Sequence, residues 1–190
     1  MDDVSMTTHP RLETERLLLR RIEMGDAGII QRLAGEYAVA AMTLNIPYPY
    51  PPDAAEIYIS ATHDAMIRGA AFNLAIEHAG ELVGNIGITI QPEHNLGELG
   101  YWIGKPYWNQ GFAGEAARRV LALAFDTLLL NRVYARCFAV NIASERVMQK
   151  AGMHYEGTLR QHIRKWGDYH DLKIYGILRS EYEAAQENTS

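Results

Sequence analysis

The chain has 190 residues, which is enough for one domain with a sizeable hydrophobic core. Apolar residues make up 48% of the sequence and charged residues 22%, as in ordinary globular proteins. A formal net charge of −5 argues against a nucleic-acid-binding protein and weakly favours basic or amine ligands.

The cysteine content and the apolar runs limit the location and the chemistry. A single cysteine, Cys137, excludes an internal disulfide and fits a reducing compartment. No window approaches 18 unbroken apolar residues, so we expect no membrane span. Met1-Asp2-Asp3 lacks the basic and apolar regions of a secretory signal, and we therefore expect a cytoplasmic protein. Without a Cys/His ligand cluster we expect no metal.

The hydrophobic pattern predicts strands and helices in a mixed order. We expect a loose tail at 1–10, one domain at 11–183 and a polar tail at 184–190. In the first half of the chain the pattern predicts a strand at 12–22, helices beginning at Asp26 and Asp53, and strands at 72–78, 82–90 and 98–103. In the second half it predicts a helix at 111–129, a strand at 133–140, a short helix ending before Gly152, and strands at 153–163 and 172–178. Three consecutive strands imply antiparallel pairing and then a helical crossover, which indicates an α/β (α+β) fold.

Three of these elements carry more detailed predictions. In the helix at 111–129, Glu115 and Arg119 form an i,i+4 pair on the solvated face. The helix that begins at Asp53 ends at Gly69, and we expect it to bury Ile57, Ala61, Ala65 and Met66. The strand at 82–90 contains Gly84 and Gly87, which predict a bulge or a close approach of another backbone.

The most informative segment is the turn between the strand at 98–103 and the following helix. Gly111, Ala113 and Gly114 leave the backbone N–H groups of the helix N-terminus uncovered, and such a terminus suits a phosphate. The alternative is a small-residue turn that binds nothing, and the spacing alone does not separate the two. The segment is neither a nucleotide P-loop nor a dinucleotide turn.

Two motifs resemble the GNAT acetyltransferases. Gly111-Phe112-Ala113 is similar to the family's acyl-CoA pyrophosphate loop, although Trp108 stands where the family often has Gln or Arg. The longer run from Gly100 to Ala116 looks like the RimJ/RimL-like branch, the relatives of ribosomal-protein N-acetyltransferases. The segment from Asn141 to Met153 also resembles a family motif, and the resemblance covers roughly residues 12–182.

The resemblance implies a mixed, mostly antiparallel sheet flanked by helices. The sheet would splay between the fourth and fifth predicted strands, at 98–103 and 133–140, with acetyl-CoA in the gap as cosubstrate. The resemblance implies the following cofactor-binding residues: Tyr101, Trp102 and Ile103 for the pantetheine arm, Gln110, Gly111, Phe112, Ala113 and Gly114 for the pyrophosphate, and Asn141 with Ser144 for the pantetheine amide and thiol end.

The resemblance also suggests two catalytic residues. Ser144 is the candidate donor to the leaving thiolate, because Met148 occupies the position of the tyrosine acid found in many members. Asn141 and Ser144 could instead simply cap a helix. Glu98 is the candidate proton acceptor, directly or through water, with an exposed charge or an arginine ion pair as the alternative. The RimL-like catalytic Glu would fall near Ile163, next to His162.

Two further segments are candidates for acceptor binding. The proline-rich run at 46–52 is either a stiff connector or a wall of the acceptor pocket that presents Tyr48 and Tyr50. The segment at 164–171 resembles a C-terminal signature of the branch, from which Tyr169 and Asp171 could orient the acceptor. A charged hairpin tip is the alternative for this second segment.

The sequence therefore predicts an acetyl-CoA-dependent N-acetyltransferase that transfers directly to a primary amine. Cys137 has no His-Asp partner, so we expect no acyl-cysteine. A protein N-terminal α-amine is the preferred acceptor, because its pKa of about 8 leaves far more neutral amine than the lysine value of about 10.4. The alternatives are a small-molecule amine such as a polyamine or antibiotic, a non-catalytic acyl-CoA-binding domain, and a purely structural domain. We expect no nucleic-acid or membrane partner, and a homodimer is compatible with the sequence.

Overall fold

A computed structural model of the protein describes residues 10–187. Nine of the ten residues of the expected N-terminal tail lie outside this range, as do residues 188–190. The strands are β1 (Arg11–Glu13), β2 (Leu17–Arg21), β3 (Ala71–His78), β4 (Glu81–Gln91), β5 (Leu96–Ile103), β6 (Arg132–Phe138), β7 (His154–Lys165) and β8 (Asp168–Leu178). The α-helices are α1 (Ala27–Ala34), α2 (Tyr37–Ala41), α3 (Ala54–Ile67), α4 (Phe112–Ala122), α5 (Ile142–Lys150) and α6 (Arg179–Glu187).

The strands form one sheet of eight, in the order β1-β2-β3-β4-β5-β6-β8-β7. Every neighbouring pair is antiparallel except β5 and β6, which are parallel. Helix α4 connects these two strands, as a parallel pair requires a crossover. The mixed, mostly antiparallel sheet with flanking helices is therefore confirmed.

The parallel pairing between β5 and β6 is short. It begins at Leu96 with Arg132 and ends at Leu99 with Ala135. From Gly100 to Ile103, β5 pairs with β4 alone, so its other edge has no strand beside it. This opening lies between the fourth and fifth predicted strands, where the family resemblance placed a splay.

Each face of the sheet is covered by a different layer of helices. On one face α4 packs on the sheet, and Phe112, Ala116 and Val120 join the larger cluster of buried side chains. On the other face α1 and α3 bury Ile30, Leu33 and Ile59 in a second cluster. Side chains of a strand alternate between faces, so neighbouring residues of β5 serve different layers.

Several local predictions were wrong. The region 12–22 forms a hairpin of two short strands, β1 and β2, rather than one strand. Asp26 makes no side-chain cap for α1, because its carboxylate binds Arg20 and the N–H of Glu23. The expected polar tail at 184–190 overlaps α6, which continues to Glu187.

The buried face of α3 also differs from the prediction. Ile57 is 61% exposed and Ala61 is exposed, whereas Met66 is buried as predicted, together with Ala55 and Ile59. Apolar residues lie almost all round this helix, so its periodicity fits more than one face. Only the contacts with β3 and α1 determine which face is buried.

The prediction for the two glycines of β4 is confirmed. Ile76 pairs with Gly84 and Glu77 with Leu82, so Val83 is the extra residue of a bulge. A side chain at Gly84 would collide with the carbonyl oxygen of Trp102, and one at Gly87 with Asn73. Both glycines therefore let neighbouring groups approach closely.

None of the helices within residues 10–187 is long and apolar enough to cross a membrane. In the same range, no group of three or more His, Cys, Asp or Glu side chains is arranged to hold a metal ion.

Candidate active site

A cavity of about 1270 Å³ lies along the splayed part of the sheet. Its lining includes the segment 42–50, the facing parts of β4 and β5, the turn before α4 and one side of α5, with further residues from α1, α3, β3 and β6. Most of the residues that the sequence predicted to bind acyl-CoA line this cavity, namely Tyr101, Trp102, Ile103, Gly111, Phe112, Ala113, Gly114, Asn141 and Ser144.

The turn before α4 exposes backbone donors. Gly111 is the N-cap at φ +83°, a conformation that favours glycine, and it provides no capping side chain. The first bond of the helix runs from the N–H of Glu115 to the carbonyl of Gly111, which leaves the preceding N–H groups of α4 without partners inside the helix. A Cβ at Gly114 would meet nothing closer than Arg118 Nη1 at 3.8 Å. The geometry therefore fits an anion.

Two loop residues serve other contacts. Trp108, which departs from the family pattern, donates its indole N–H to the carbonyl of Ile103 at 2.7 Å and so closes the end of β5. Gln110 does not line the cavity, because its amide lies 3.4 Å from the carbonyl of Pro106. The carbonyl of Gln110 accepts a bond from Arg16 at 3.0 Å.

Glu115 fixes the β1–β2 hairpin against this turn. We expected an ion pair with Arg119 one helical turn away, but Glu115 binds Arg16 and Thr14 across the sheet. Burial acts to raise the pKa of Glu115, whereas the Thr14 hydroxyl and the N–H groups of Arg16 lower it overall. Donors from the β1–β2 hairpin therefore satisfy both oxygens of this carboxylate.

The part of the cavity near α4 and α5 is basic. Arg118, Arg146 and Lys150 line it, and Arg16 borders it beside Gly111. The fixed cations and the helix N-terminus together fit a ligand with several phosphates. Of these four cations, only Lys150 belongs to a motif that the sequence analysis identified. The arginines were missed, because a sequence does not distinguish an arginine that lines a cavity from one that is solvated.

Asn141 and Ser144 have different roles at the start of α5. The Oδ1 atom of Asn141 accepts the N–H of Ser144 at 3.0 Å, so Asn141 is the helix cap. The hydroxyl of Ser144 lies 2.8 Å from that of Tyr101, whose phenol also bonds the carbonyl of Ser144 at 3.1 Å. Burial raises the pKa of Tyr101 and keeps the phenol protonated. Met148 is 1% exposed and belongs to the core.

Cys137 lies at the same end of the cavity. It is buried, it lines the cavity, and it has a hydrogen-bond interaction with Ser144. Burial raises the pKa of its thiol to about 11, with a further contribution from the charge of Glu145. A thiol in this environment is a packing group and a poor nucleophile at neutral pH.

Glu98 lines the cavity from the face of β5 opposite to that of Tyr101. Its Oε1 accepts bonds from Arg136, with Nε at 2.9 Å and Nη2 at 2.8 Å. Its Oε2 accepts the hydroxyl of Tyr134 at 3.0 Å. An arginine ion pair was the alternative that the sequence left open, and the structure shows it inside the cavity.

The predicted acceptor residues are divided between two places. Tyr50 lines the cavity, whereas Tyr48 is exposed beside it. Tyr169 and Asp171 do not line it, and their role in orienting an acceptor stays a prediction. Tyr169 lies under Arg164, and Asp171 accepts the N–H of Gln161 at 2.7 Å, which joins β7 to β8. A hairpin tip and a binding residue show the same charged pattern in a sequence.

Comparison with known proteins gives the chain a family. A protein-family model described as an acetyltransferase (GNAT) domain matches residues 16–154 of the chain. The uncharacterized N-acetyltransferase YoaA of Bacillus subtilis is 31% identical over 172 residues, which are 90% of this chain and 97% of that protein. Spermidine N(1)-acetyltransferase of Vibrio cholerae is 27% identical over 169 residues, covering 88% of this chain and 95% of that protein.

The fold is also similar to that of solved acetyltransferase structures. The structure of RimL, a ribosomal L7/L12 alpha-N-protein acetyltransferase in complex with coenzyme A, matches with a TM-score of 0.82 at 21% identity. The match covers 88% of this chain and 97% of that one. With the open strand edge, the uncapped helix N-terminus and the basic lining in place, this chain belongs to the GNAT family of N-acetyltransferases.

Proposed function

We propose that this enzyme acetylates the α-amino group of a protein or peptide N-terminus, with acetyl-CoA as the acyl donor. The observation that carries the proposal is the pairing of Glu98 with Arg136 inside the cavity. The two side chains place a carboxylate and a guanidinium side by side on the face of β5 opposite Tyr101 and Ser144.

The acyl-CoA end is assigned to the basic part of the cavity. The backbone of residues 111–114 would hold the pyrophosphate, and Arg118, Arg146 and Lys150 would neutralise the phosphates. The open edge of β5 from Tyr101 to Ile103 would bond the pantetheine arm as an added strand would. When bound, acetyl-CoA supplies an activated thioester.

Residues of this chain then assist two proton transfers. A neutral amine forms the new N–C bond as the C–S bond breaks, so one proton must leave nitrogen and one must reach sulfur. Glu98, directly or through a water, accepts the first proton, and Ser144 donates the second. Glu98 then releases its proton to solvent and Ser144 recovers one from solvent, so the net products are the amide and the free thiol.

Arg136 favours an α-amine over other amines. Among the described residues, its Nη1 has no hydrogen-bond partner, because Glu98 is bound by Nε and Nη2. The α-amine of a peptide has a carbonyl oxygen three bonds away, which can accept from such a nitrogen. A lysine ε-amine and a polyamine have no carbonyl near the amine, so they lose this bond.

Acidity supports the same choice. A peptide α-amine has a pKa of about 8, so on the order of a tenth is neutral at pH 7, against far less than a hundredth of a lysine amine. With a single carboxylate in the cavity to assist deprotonation, the more acidic ammonium has the advantage. The structural match to RimL, an enzyme for a protein α-amine, is consistent with this choice.

A polyamine acceptor is the second candidate, because one relative is a spermidine N(1)-acetyltransferase. A polyamine carries several ammonium groups, which need several carboxylates. Glu98 is the one acidic residue among the described residues that line the cavity, and it is already bound to Arg136. The lining therefore favours an acceptor with a single amine.

Two peptides of identical sequence test the proposal. One has a free N-terminus and an acetylated lysine, and the other has a blocked N-terminus and a free lysine. We expect faster thiol release with the first peptide at every pH from 7 to 9. Faster reaction of the second peptide, or of spermidine, would overturn the proposal. Calorimetry with CoA alone shows separately whether the protein binds the donor.

Arg136→Gln tests the role of the carbonyl. It is assayed with an α-amino amide and with the matched alkylamine that has CH₂ in place of the C=O. We expect the variant to lose rate on the order of tenfold with the amide and much less with the alkylamine. Equal losses with both acceptors would mean that Arg136 acts only through Glu98.

A further inference from the structure

Two segments that are far apart in the sequence meet at the mouth of the cavity. The first is the segment 42–50, which contains the proline-rich run. The second is the tip of the β7–β8 hairpin, where Lys165 ends β7 and Trp166 begins the turn. We call the contact between them the clasp, formed by Tyr37, Tyr48, Lys165 and Trp166 with the carbonyl groups of residues 40, 43 and 46.

Lys165 forms the polar part of the clasp. Its Nζ donates to the carbonyl of Ala40 at 2.6 Å, to that of Ile46 at 3.2 Å, and to that of Thr43. The side chain is only 9% exposed, and Nζ lies 4.7 Å from the centre of the Trp166 ring. Burial lowers the pKa of Lys165, whereas the three carbonyl dipoles and the ring favour its charged form.

Aromatic rings form the outer part of the clasp. Tyr37 stacks on Trp166 with 5.5 Å between ring centres and 23° between planes. Tyr48 packs edge-on against Tyr37 at 5.1 Å and lies 5.9 Å from Trp166. All three rings are largely exposed, so their stacking orders the surface more than it buries apolar area.

The segment held by the clasp is a wall of the cavity. The residues of this segment that line the cavity are Met42, Thr43, Leu44, Asn45, Ile46, Pro47 and Tyr50. Between Met42 and Pro52 the chain forms no regular helix or strand, so no backbone ladder fixes its path. Two further ties hold the start of this segment. The Nδ2 of Asn141 donates to the carbonyl of Met42 at 3.1 Å, and the hydroxyl of Thr43 lies 3.1 Å from the carbonyl of Val39 and 3.2 Å from that of Ala40.

We propose that Lys165 is a positioning residue for the acceptor amine. It holds the segment 42–50 in the shape that lets the wall direct an incoming amine toward Glu98 and the thioester. This inference rests on the proposed N-acetyltransferase function. Lys165 does not line the cavity, so it acts through the wall and not by touching the substrate.

The energetics explain why one side chain has this effect. Replacing the ammonium leaves the carbonyls of Thr43 and Ile46 without this donor, whereas the carbonyl of Ala40 keeps its bonds from the N–H and the hydroxyl of Thr43. We expect the segment to move outward so that the carbonyls of Thr43 and Ile46 reach water. A displacement of about 1 Å at a positioning element can slow a reaction on the order of 100-fold. The turn before α4 belongs to a different part of the lining, so the affinity for acetyl-CoA should not change.

Lys165→Met tests the inference, because it keeps the length of the side chain and removes all three donors. We expect the KM for the peptide acceptor to rise on the order of tenfold or more, with CoA affinity within about twofold of wild type. Hydrogen exchange of residues 41–52, measured without any acceptor, should accelerate while exchange of residues 100–116 stays as in the wild type.

Arg164→Met is the matched control, because Arg164 precedes Lys165 in β7 but contacts Tyr169 on the exposed side. It should leave both KM and exchange unchanged. Lys165→Gln keeps a shorter donor and should fall between wild type and Lys165→Met, and it replaces that variant if the latter does not fold.

The outcomes separate the two proposals. An unchanged acceptor KM and unchanged exchange in Lys165→Met would overturn the role of Lys165 while leaving the enzyme's function intact. A wild-type protein that binds CoA but acetylates no amine would overturn the proposed function. The exchange experiment would then still report whether Lys165 holds the wall.

Discussion

The hydroxyl oxygens of Tyr101 and Ser144 lie 2.8 Å apart, although 43 residues separate them in the chain. Tyr101 comes from the open edge of β5 and Ser144 from the first turn of α5, so the pair spans the gap in the sheet. The phenol stays protonated because burial raises its pKa. Its single proton can go to the hydroxyl oxygen of Ser144 or to the carbonyl of the same residue. When it goes to the hydroxyl oxygen, the serine proton is free for another acceptor.

Ser144→Ala should lower turnover about tenfold or more, because the leaving thiolate loses its donor, while CoA affinity stays within about twofold. Tyr101→Phe should cause a smaller loss, since the serine remains but is less well oriented. Steady-state kinetics and calorimetry with CoA measure the two quantities.

Thermal unfolding provides the control for the serine variant. Asn141, and not Ser144, caps α5, so Ser144→Ala should keep its melting temperature. An unchanged turnover with a lower melting temperature would show that Ser144 serves only the helix.

Gly114→Val should weaken CoA binding on the order of tenfold or more without preventing folding. The new side chain would have space beside Arg118 but would cover the backbone N–H groups that face the anion. Gly111 is a less useful position, because its φ of +83° strains any side chain.

Gly28→Val is the matched control for Gly114→Val. Gly28 lies in α1, and a Cβ there would meet nothing within 4 Å. The control carries the same cost of valine in a helix but should keep CoA affinity. Equal affinities for both variants, as measured by calorimetry, would remove the anion site from this turn.

Cys137 should react with iodoacetamide at pH 7 about two orders of magnitude more slowly than an exposed thiol, because its pKa of about 11 leaves little thiolate. The rate should rise as the pH approaches that value. Mass spectrometry of the alkylated protein follows the reaction. Cys137→Ala should keep turnover within about threefold, and loss of turnover in a folded variant would point to an acyl-cysteine.

Asp26→Asn should destabilise the protein by about 2 kcal/mol at pH 7, because Arg20 loses both of its bonds to this carboxylate. Burial acts to raise the pKa of Asp26, but Arg20 and the N–H of Glu23 lower it below the ordinary 3.8. The native state therefore binds fewer protons than the unfolded state in this range. The stabilisation is present above pH 3.8 and is lost as the pH falls through the folded pKa.

Chemical denaturation at several pH values measures this difference between wild type and variant. The difference should shrink as the solution is acidified below the ordinary carboxyl pKa. Glu13→Gln is the control, since its ion pair with Arg11 is largely exposed and should contribute less than about 1 kcal/mol. A pH-independent difference for Asp26→Asn would contradict the assignment.

The local motifs were readable from the sequence because their chemistry is local. Gly111 and Gly114 are needed for a tight turn and an uncovered helix terminus, and Asn141 caps the helix that follows it. The order of strands and helices likewise predicted the mixed sheet, since consecutive strands pair and a parallel pair needs a crossover.

Pairings between distant segments could not be predicted in the same way. Glu98 had several arginines as candidate partners, and only the register of β5 against β6 brings Arg136 to it. Glu115 was expected to pair along its own helix, yet the β1–β2 hairpin supplies Arg16. In α3, apolar residues on most sides concealed which face packs inward.

The sequence by itself determined the family, the succession of most strands and helices along the chain, and the turn that fits a phosphate. Glycine conformation, capping and hydrophobic periodicity act over a few residues, so they can be read locally. The tertiary structure alone decided that Tyr101 meets Ser144, that Arg136 holds Glu98, and that Lys165 reaches the carbonyls of the segment 42–50. Each of these contacts joins groups that are dozens of residues apart. Their energy depends on distances that no local pattern encodes.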